Sequence, residues 1–476
     1  IDSAAITRLE EGRAFLEEEI QKGKVMYGVN TGFGHFAQVR ISDDKLDELQ
    51  VNLIRSHAAG VGPLVEDDIV RLIMFIKIQS LIQGYSGVRP DVVDQLVFFL
   101  NQDILPCIPS KGSVGASGDL APLAHMALSL LGEDKVRYKG REEDAANILK
   151  TLSRKPLILK EKEGLALING TQSMAAHGIM ALIRTENILY SSELIFSLSL
   201  DAMKASLAPF HKTIHEVKGS PFNVACAERI RFYLQKSEIN RSHEHCDKVQ
   251  DPYCFRCYAQ VCGAVWEAFD HVKQIVLREV NGVSDNPLIF KEEKLVISGG
   301  NFHGESLALA LDYLAMAVSE LANIAERRIS ELVDSRMSRL PDFLVNESGV
   351  NSGFMIAHVT AAALVSENKG LATPASIDSI PTSTNQEDHV SMGHRAARKL
   401  LEIIENTETV LAIEYLVAAE GIDFHRPLKT SPFLEKIHGR LRQHVPHLDK
   451  DRIMYKDIQH SLAIIKSGYL SHLARQ

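Results

Sequence analysis

The sequence predicts a mainly all-α protein, and two observations carry that reading. Over residues 307–332 the run LALALDYLAMAVSELANIAERRISEL holds neither Gly nor Pro, and its apolar residues recur at spacings of three and four. At about 1.5 Å per residue this run makes a helix about 39 Å long. Runs of the same character cover residues 173–207, 261–280 and 395–420. Strand signals, by contrast, are few and short: KPLILK (155–160), KLVISGG (294–300) and VRYKG (136–140). Helices this long and apolar must bury a wide stripe, so they bundle with one another or with copies from another chain. The expectation is a smaller, loop-rich N-terminal part over residues 1–170 and a long-helix bundle with further C-terminal helices over residues 171–476, the two forming one continuous unit. A homo-oligomer follows from the same pattern.

The composition excludes several classes. The chain has 476 residues, a length that corresponds to roughly three domains or one large helical assembly. Lys plus Arg number 52 against 61 for Asp plus Glu, a net charge of −9, which argues against a general nucleic-acid binder. A hydrophobic content of 45% with 24% charged residues excludes a largely disordered chain. Six cysteines, at 107, 226, 246, 254, 257 and 262, are too few for a disulfide scaffold at this length and point to a reduced, cytoplasmic compartment. No uncharged apolar run reaches the roughly 18–20 residues of a membrane span, so no membrane partner is expected. The chain opens on Ile1 rather than Met, with no charged segment leading into an apolar one. No repeat of fixed period is present.

Small and polar residues concentrate in five loops: YGVNTGFG (27–34), GSVGASGDLAP (112–122), INGTQS (168–173), SGGNFHGES (298–306) and SIPTSTNQEDHVSMG (379–393). Loops held on a rigid helical scaffold are where function usually resides. The segment from Gly112 to Leu120 admits three readings. One is a Gly-rich turn capped by Ser or Asp ahead of a helix starting near Leu120. A second is an anion cradle at that helix start, although no GxxxxGK[ST] pattern is present and no GxGxxG follows a clear strand. The third is backbone chemistry. If a tight fold presses the Gly118 amide nitrogen onto the Ala116 carbonyl carbon, a five-membered ring closes. Glycine leaves that nitrogen unhindered, and alanine keeps bulk from the carbonyl. Ser117 then loses its hydroxyl, two waters depart in all, and an exocyclic methylidene electrophile remains.

The Ala116-Ser117-Gly118-Asp119 segment within GSVGASGDLAPLAH resembles the signature of the aromatic amino acid ammonia-lyase family, and further motifs follow in the family's order from Tyr27 to Gly393. The resemblance implies the all-α fold shared with fumarase-type lyases. It implies a 4-methylideneimidazol-5-one group (MIO) formed autocatalytically from Ala116, Ser117 and Gly118, and a homotetramer with active sites shared between subunits. Gln250-Asp251-Pro252-Tyr253, Ser56-His57-Ala58-Ala59-Gly60 and Asn385-Gln386-Glu387-Asp388-His389 are most similar to the histidine-deaminating branch. Its reaction is the non-oxidative elimination of ammonia from L-histidine to give trans-urocanate. A carboxylate at 387 suits an imidazole, which has N–H donors; beside a phenyl ring its charge would be desolvated with nothing to pair to.

Eliminating ammonia from an amino acid meets a poor leaving group and a barely acidic β-hydrogen. An electrophile that captures the amine addresses the first and a positioned base the second. The resemblance assigns the base to Tyr27, with Glu387 as the alternative. A phenol has a free pKa near 10 and must be lowered to act at neutral pH. Arg256 matches the position that binds the substrate carboxylate, for which a guanidinium fork is suited. Tyr253 stands three residues earlier and would share a helix face with Arg256, and Gln250 would join them three residues before that. Asn169 matches a position near the substrate amine or carboxylate, Phe302 a pocket wall, and His57 with Glu387 the grip on the imidazole.

Two departures from the family pattern stand beside these residues: Cys254-Phe255 replaces a Ser-Leu pair, and Thr384 stands where Ala is usual. Within the family, the alternatives are a tyrosine or phenylalanine ammonia-lyase or an aminomutase. Outside it, His243, His245, Cys246, Cys254 and Cys257 raise a zinc site, but two properly spaced ligand pairs and HExxH are both missing. A non-catalytic scaffold would keep both waters at residues 116–118. The GSSxMPxKxN loop of fumarase-type enzymes is absent.

Overall fold

Four helices carry most of the apolar sequence: Gln172–Ala202, Tyr258–Val280, Glu305–Val333 and Gly393–Asp423. They appear in a computed structural model that describes residues 1–36, 38–244 and 249–476. Three of the helices exceed their predicted spans by three to five residues in total. The fourth stops short of the predicted Leu207, because Lys204 takes a left-handed φ of 47° and Ala205 turns its N–H back to Leu200. The Glu305–Val333 helix is long and apolar enough to cross a membrane by length and composition, contrary to expectation, yet 56% of its most apolar stretch is already buried in the fold.

Among the described residues, strands pair only in small antiparallel pieces. Lys135–Tyr138 pairs with Leu105–Pro106 and Arg141–Asp144, Val61–Leu64 with Pro109–Lys111, and Leu288–Phe290 with Leu295–Ile297. Two of the three predicted strands are among them. The third, KPLILK, is extended coil. Leu159 anchors it by burial, Ile158 is exposed, and Leu157 donates its N–H to the Leu130 carbonyl, which also accepts from Gln95 Nε2, so the segment does not join a ladder.

The described residues form two compact units. The first comprises Ile1–Met180, Lys273–Asp312 and Pro374–Arg398; the second Ala181–Val272, Tyr313–Thr373 and Lys399–Gln476. In the first, the Leu120–Leu130 helix packs on both Leu46–His57 and Glu163–Ile168. This convergence brings the C-terminus of one helix, at His57, and that of another, before Asn169, to the N-terminus of the third, after Asp119. In the second unit the Phe196 and Tyr258 rings stack at 3.8 Å, and Arg328 pairs with Glu414 at 2.5 Å with both side chains fully buried. That unit also exposes large apolar side chains at Tyr313, Met316, Met355, Ile356 and Val359.

Candidate active site

The Gly-rich loop is shaped by a backbone clamp. Gly170 donates its N–H to the Ser117 carbonyl (3.2 Å), and its own carbonyl accepts from Asp119 N–H (2.8 Å). Gly118, between those two bonds, has φ +74°, and a Cβ placed there would lie 2.0 Å from the Gly170 oxygen. Only glycine fits. A side chain at 115 would likewise meet Ser391 Oγ at 2.3 Å.

The capping expectation is corrected in one respect. Asp119 stands at the N-cap of Leu120–Leu130 but makes no side-chain bond to that helix. Its buried carboxylate accepts the Met174 N–H at 2.7 Å, in the first turn of Gln172–Ala202, and Ser113 Oγ at 3.4 Å. It therefore satisfies an orphan donor of a neighbouring helix. Burial pushes the Asp119 carboxyl up to about 7, against the pull of these donors.

Above the loop, the first unit encloses a cavity of about 1170 Å³. Tyr27, His57, Ala116, Ser117, Asn169, Phe302 and Glu387 all line it. Glu387 Oε1 accepts from Ser117 Oγ at 3.4 Å and Oε2 from Thr382 Oγ1 at 2.8 Å. The backbone brings it there by a tight loop, in which Thr382 and Glu387 pair across Ser383, Thr384 and Asn385, all left-handed at φ 51°, 52° and 68°. Thr384, the departure from the family pattern, is a β-branched residue in a conformation that costs such residues about 1–3 kcal/mol.

His57 ends its helix with Nδ1 2.8 Å from the Leu53 carbonyl. An Nδ1–H donor there leaves Nε2 as a bare acceptor. Burial lowers the imidazole pKa, against the opposing effects of that carbonyl and the Glu387 charge, and favours the neutral ring. Tyr27 Oη accepts the Gly34 N–H at 3.2 Å. Its pKa is nonetheless raised, first by burial and then by the Glu387 charge, with the Gly34 bond opposing. A phenol lowered by this chain's own pocket, as expected of a base, is therefore not what the site provides.

Three predicted residues belong to the second unit. Gln250 and Arg256 line a separate cavity there of about 840 Å³. Arg256 does share a face with Tyr253, its guanidinium 4.4 Å from the ring centroid, in the short helix Tyr253–Arg256. Gln250 does not join them on the helix, because Pro252 is its N-cap. Tyr253 is 69% exposed, and Arg256 Nε is buried without a hydrogen-bond partner among the described residues. Of the zinc candidates, His245 and Cys246 lie outside the described residues.

Sequence reasoning missed the polar residues behind Asn169: Lys77, Lys162 and Asp285. Lys77 alone left a signal, a single cation inside the apolar run LIMFIKI.

Fold and site together define a mainly α-helical protein with a Gly-rich loop beside a cavity lined by titratable groups. The model of the family described as aromatic amino acid lyase matches residues 1–443, and the chain belongs to this family. A histidine ammonia-lyase of Idiomarina loihiensis is 50% identical over 457 residues, 96% of this chain and 89% of the relative. The crystal structure of histidine ammonia-lyase from Trypanosoma cruzi superposes with a TM-score of 0.93 at 40% identity, covering 100% of this chain and 90% of that one. The tyrosine aminomutase of Streptomyces globisporus matches with a TM-score of 0.93 at 34% identity, covering 99% and 93%.

Proposed function

We propose that this carbon–nitrogen lyase eliminates ammonia from L-histidine to give trans-urocanate, in the cytoplasm, using an MIO group made from Ala116, Ser117 and Gly118. The observation that carries the substrate is the placement of Glu387. A carboxylate in this cavity, with neutral His57 Nε2 beside it as a second acceptor, calls for a ligand with ring N–H donors. Imidazole has them and a phenyl ring does not. The histidine ammonia-lyases among the relatives support the same choice.

When formed, the MIO supplies an electrophile that turns the amino group into a leaving group. The chain's residues do the rest. His57 and Glu387 orient the imidazole, Phe302 walls the pocket and Asn169 meets the substrate backbone. Tyr27 takes the β-proton. Its raised pKa requires a positive charge to arrive from its surroundings, and the partner subunit's Arg256 is one such charge in the proposed shared site. In a homotetramer with shared sites, the partner subunit's Gln250, Tyr253 and Arg256 complete the pocket, Arg256 taking the carboxylate. The exposed Tyr313, Ile356 and Val359 of the second unit, the exposed Tyr253 and an Arg256 Nε without a hydrogen-bond partner among the described residues support that reading. The buried thiols Cys107, Cys226, Cys254 and Cys262, none of them in a disulfide among the described residues, suit a reducing compartment.

The test is turnover of L-histidine, with L-tyrosine and L-phenylalanine in parallel, followed by the ultraviolet absorbance of the conjugated acrylate. Histidine alone should react. Turnover of tyrosine instead would move the assignment toward the aminomutase-like relative. Ser117→Ala should keep both waters by intact mass and lose nearly all turnover; full activity in that variant would overturn the MIO assignment.

A further inference from the structure

We propose that Lys77 is a positioning residue for the making of the electrophile: through the Asn169–Gly170 peptide it draws charge out of the Ser117 carbonyl, and so promotes the loss of water from Ala116, Ser117 and Gly118. This rests on the MIO reading above and adds to it a group outside the tripeptide that drives its chemistry.

Two hydrogen bonds meet on one peptide unit. Lys77 Nζ donates to the Asn169 carbonyl at 2.7 Å. The N–H of that same peptide belongs to Gly170 and donates to the Ser117 carbonyl at 3.2 Å. A cation on a peptide's oxygen makes its N–H the stronger donor, because hydrogen bonds in a chain polarise one another, and a buried site of low dielectric enlarges the effect. Lys77 is 1% exposed and Asn169 2%. The Gly170 carbonyl accepts the Asp119 N–H at 2.8 Å, which pins the relay on the far side of Gly118 as well.

The tripeptide needs that pull in the second of two steps. In the first, the Gly118 nitrogen bonds to the Ala116 carbonyl carbon, and that carbonyl oxygen departs as water with the N–H protons of Gly118 and Ser117. In the second, Ser117 gives up its Cα proton and its hydroxyl as another water, and a Cα=Cβ bond forms. The Cα proton is next to the Ser117 carbonyl, so the electron pair it leaves is held on that carbonyl oxygen until the hydroxyl departs. The Gly170 N–H meets this oxygen, with Lys77 behind it, where negative charge develops.

Capping alone does not account for this lysine. Its second bond, to the Ala166 carbonyl at 3.1 Å, does satisfy the end of the Glu163–Ile168 helix. A neutral donor would do as much, and burying an ammonium costs more than a cap returns. Burial pulls the Lys77 pKa down to about 7, with Lys162 adding to the fall and the Asp285 and Asp119 charges opposing it. The two carboxylates thus help to keep the proton on Lys77.

The test follows mass against time. Wild-type protein, Lys77→Met and Leu149→Ala are each made in a short cell-free translation, and intact mass then records the chains that have lost no, one or two waters. Lys77→Met drops the charge. Leu149→Ala empties buried volume beside Gly132, past the other end of the Leu120–Leu130 helix, and serves as the control for lost stability. In Lys77→Met the second water should leave about tenfold more slowly, the size of one weakened charge-assisted hydrogen bond, and chains lacking one water should accumulate. Leu149→Ala should keep the wild-type rate despite a lower thermal midpoint. Once dehydrated, Lys77→Met should show its ultraviolet difference band against Ser117→Ala at shorter wavelength than the wild type, since the conjugated carbonyl has lost its pull; a mere cap would leave the band in place. Lys77→Gln, a donor without charge, should slow the second water in the same way and serves if Lys77→Met does not fold. A Lys77 variant that dehydrates at the rate of Leu149→Ala, or whose band does not move, overturns the proposal. Wild-type protein that keeps both waters overturns the MIO reading itself, and the proposal with it, before any variant is compared.

Discussion

Tyr27 and Glu387 share a cavity in which the carboxylate opposes ionisation of the phenol. If Tyr27 acts in its ionised form, activity climbs as pH rises through its pKa. Glu387→Gln removes a negative charge, lowers that pKa, and should move the rising limb of the kcat/KM profile to lower pH. The same change should cost histidine more than tyrosine, because the imidazole N–H loses its anionic acceptor. An unmoved limb would mean that Glu387 does not act on Tyr27. Tyr27→Phe should lower kcat by about 10²–10⁴, the usual worth of a positioned base. At this scale the sequence was informative wherever chemistry is written in short motifs: Tyr27, His57, Ala116, Ser117, Asn169, Phe302 and Glu387 meet in one cavity. It was silent on Lys162 and Asp285, whose ion pair joins residues 123 apart with no motif at either end.

Between elements, the decisive feature is the clamp of Gly170 on Ser117 and Asp119. Gly118→Ala would push a methyl into the Gly170 carbonyl at a φ that alanine resists. It should destabilise the fold by at least about 1–3 kcal/mol, seen as a lower thermal midpoint, and should prevent the loss of two waters by intact mass. A dehydrated Gly118→Ala protein of unchanged midpoint would refute the steric account. The long helices were legible because a period of three to four residues persists over many turns. KPLILK was misread because burial of alternate side chains looks alike in a strand and in extended coil. The cap was misread for a related reason: Asp119 serves Met174, a partner chosen by tertiary approach and invisible in local spacing.

For the whole molecule, the proposed shared sites make a prediction about mixtures. Tyr27→Phe and Arg256→Ala should each be nearly inactive as pure proteins. Coexpressed in equal amounts, they should regain roughly a quarter of wild-type activity, since random assembly pairs an intact Tyr27 side with an intact Arg256 side at that frequency. No recovery in mixed oligomers verified by mass would place all the residues of a site on one subunit. Sequence pattern indicates that apolar helices need partners, and it does not say whether a partner is the same chain or a copy; Tyr313, Ile356 and Val359 stay exposed in the single chain.

The clamp also has a temporal meaning. Residues 117–119 and 169–170 are distant along the chain and meet only after folding. On the proposed chemistry, a nascent or misfolded chain therefore carries no electrophile and cannot react with amines around it. Loss of two waters is covalent, and later unfolding does not restore them. Each molecule's mass thus becomes a lasting register of having once reached its native state, even when its present conformation no longer tells.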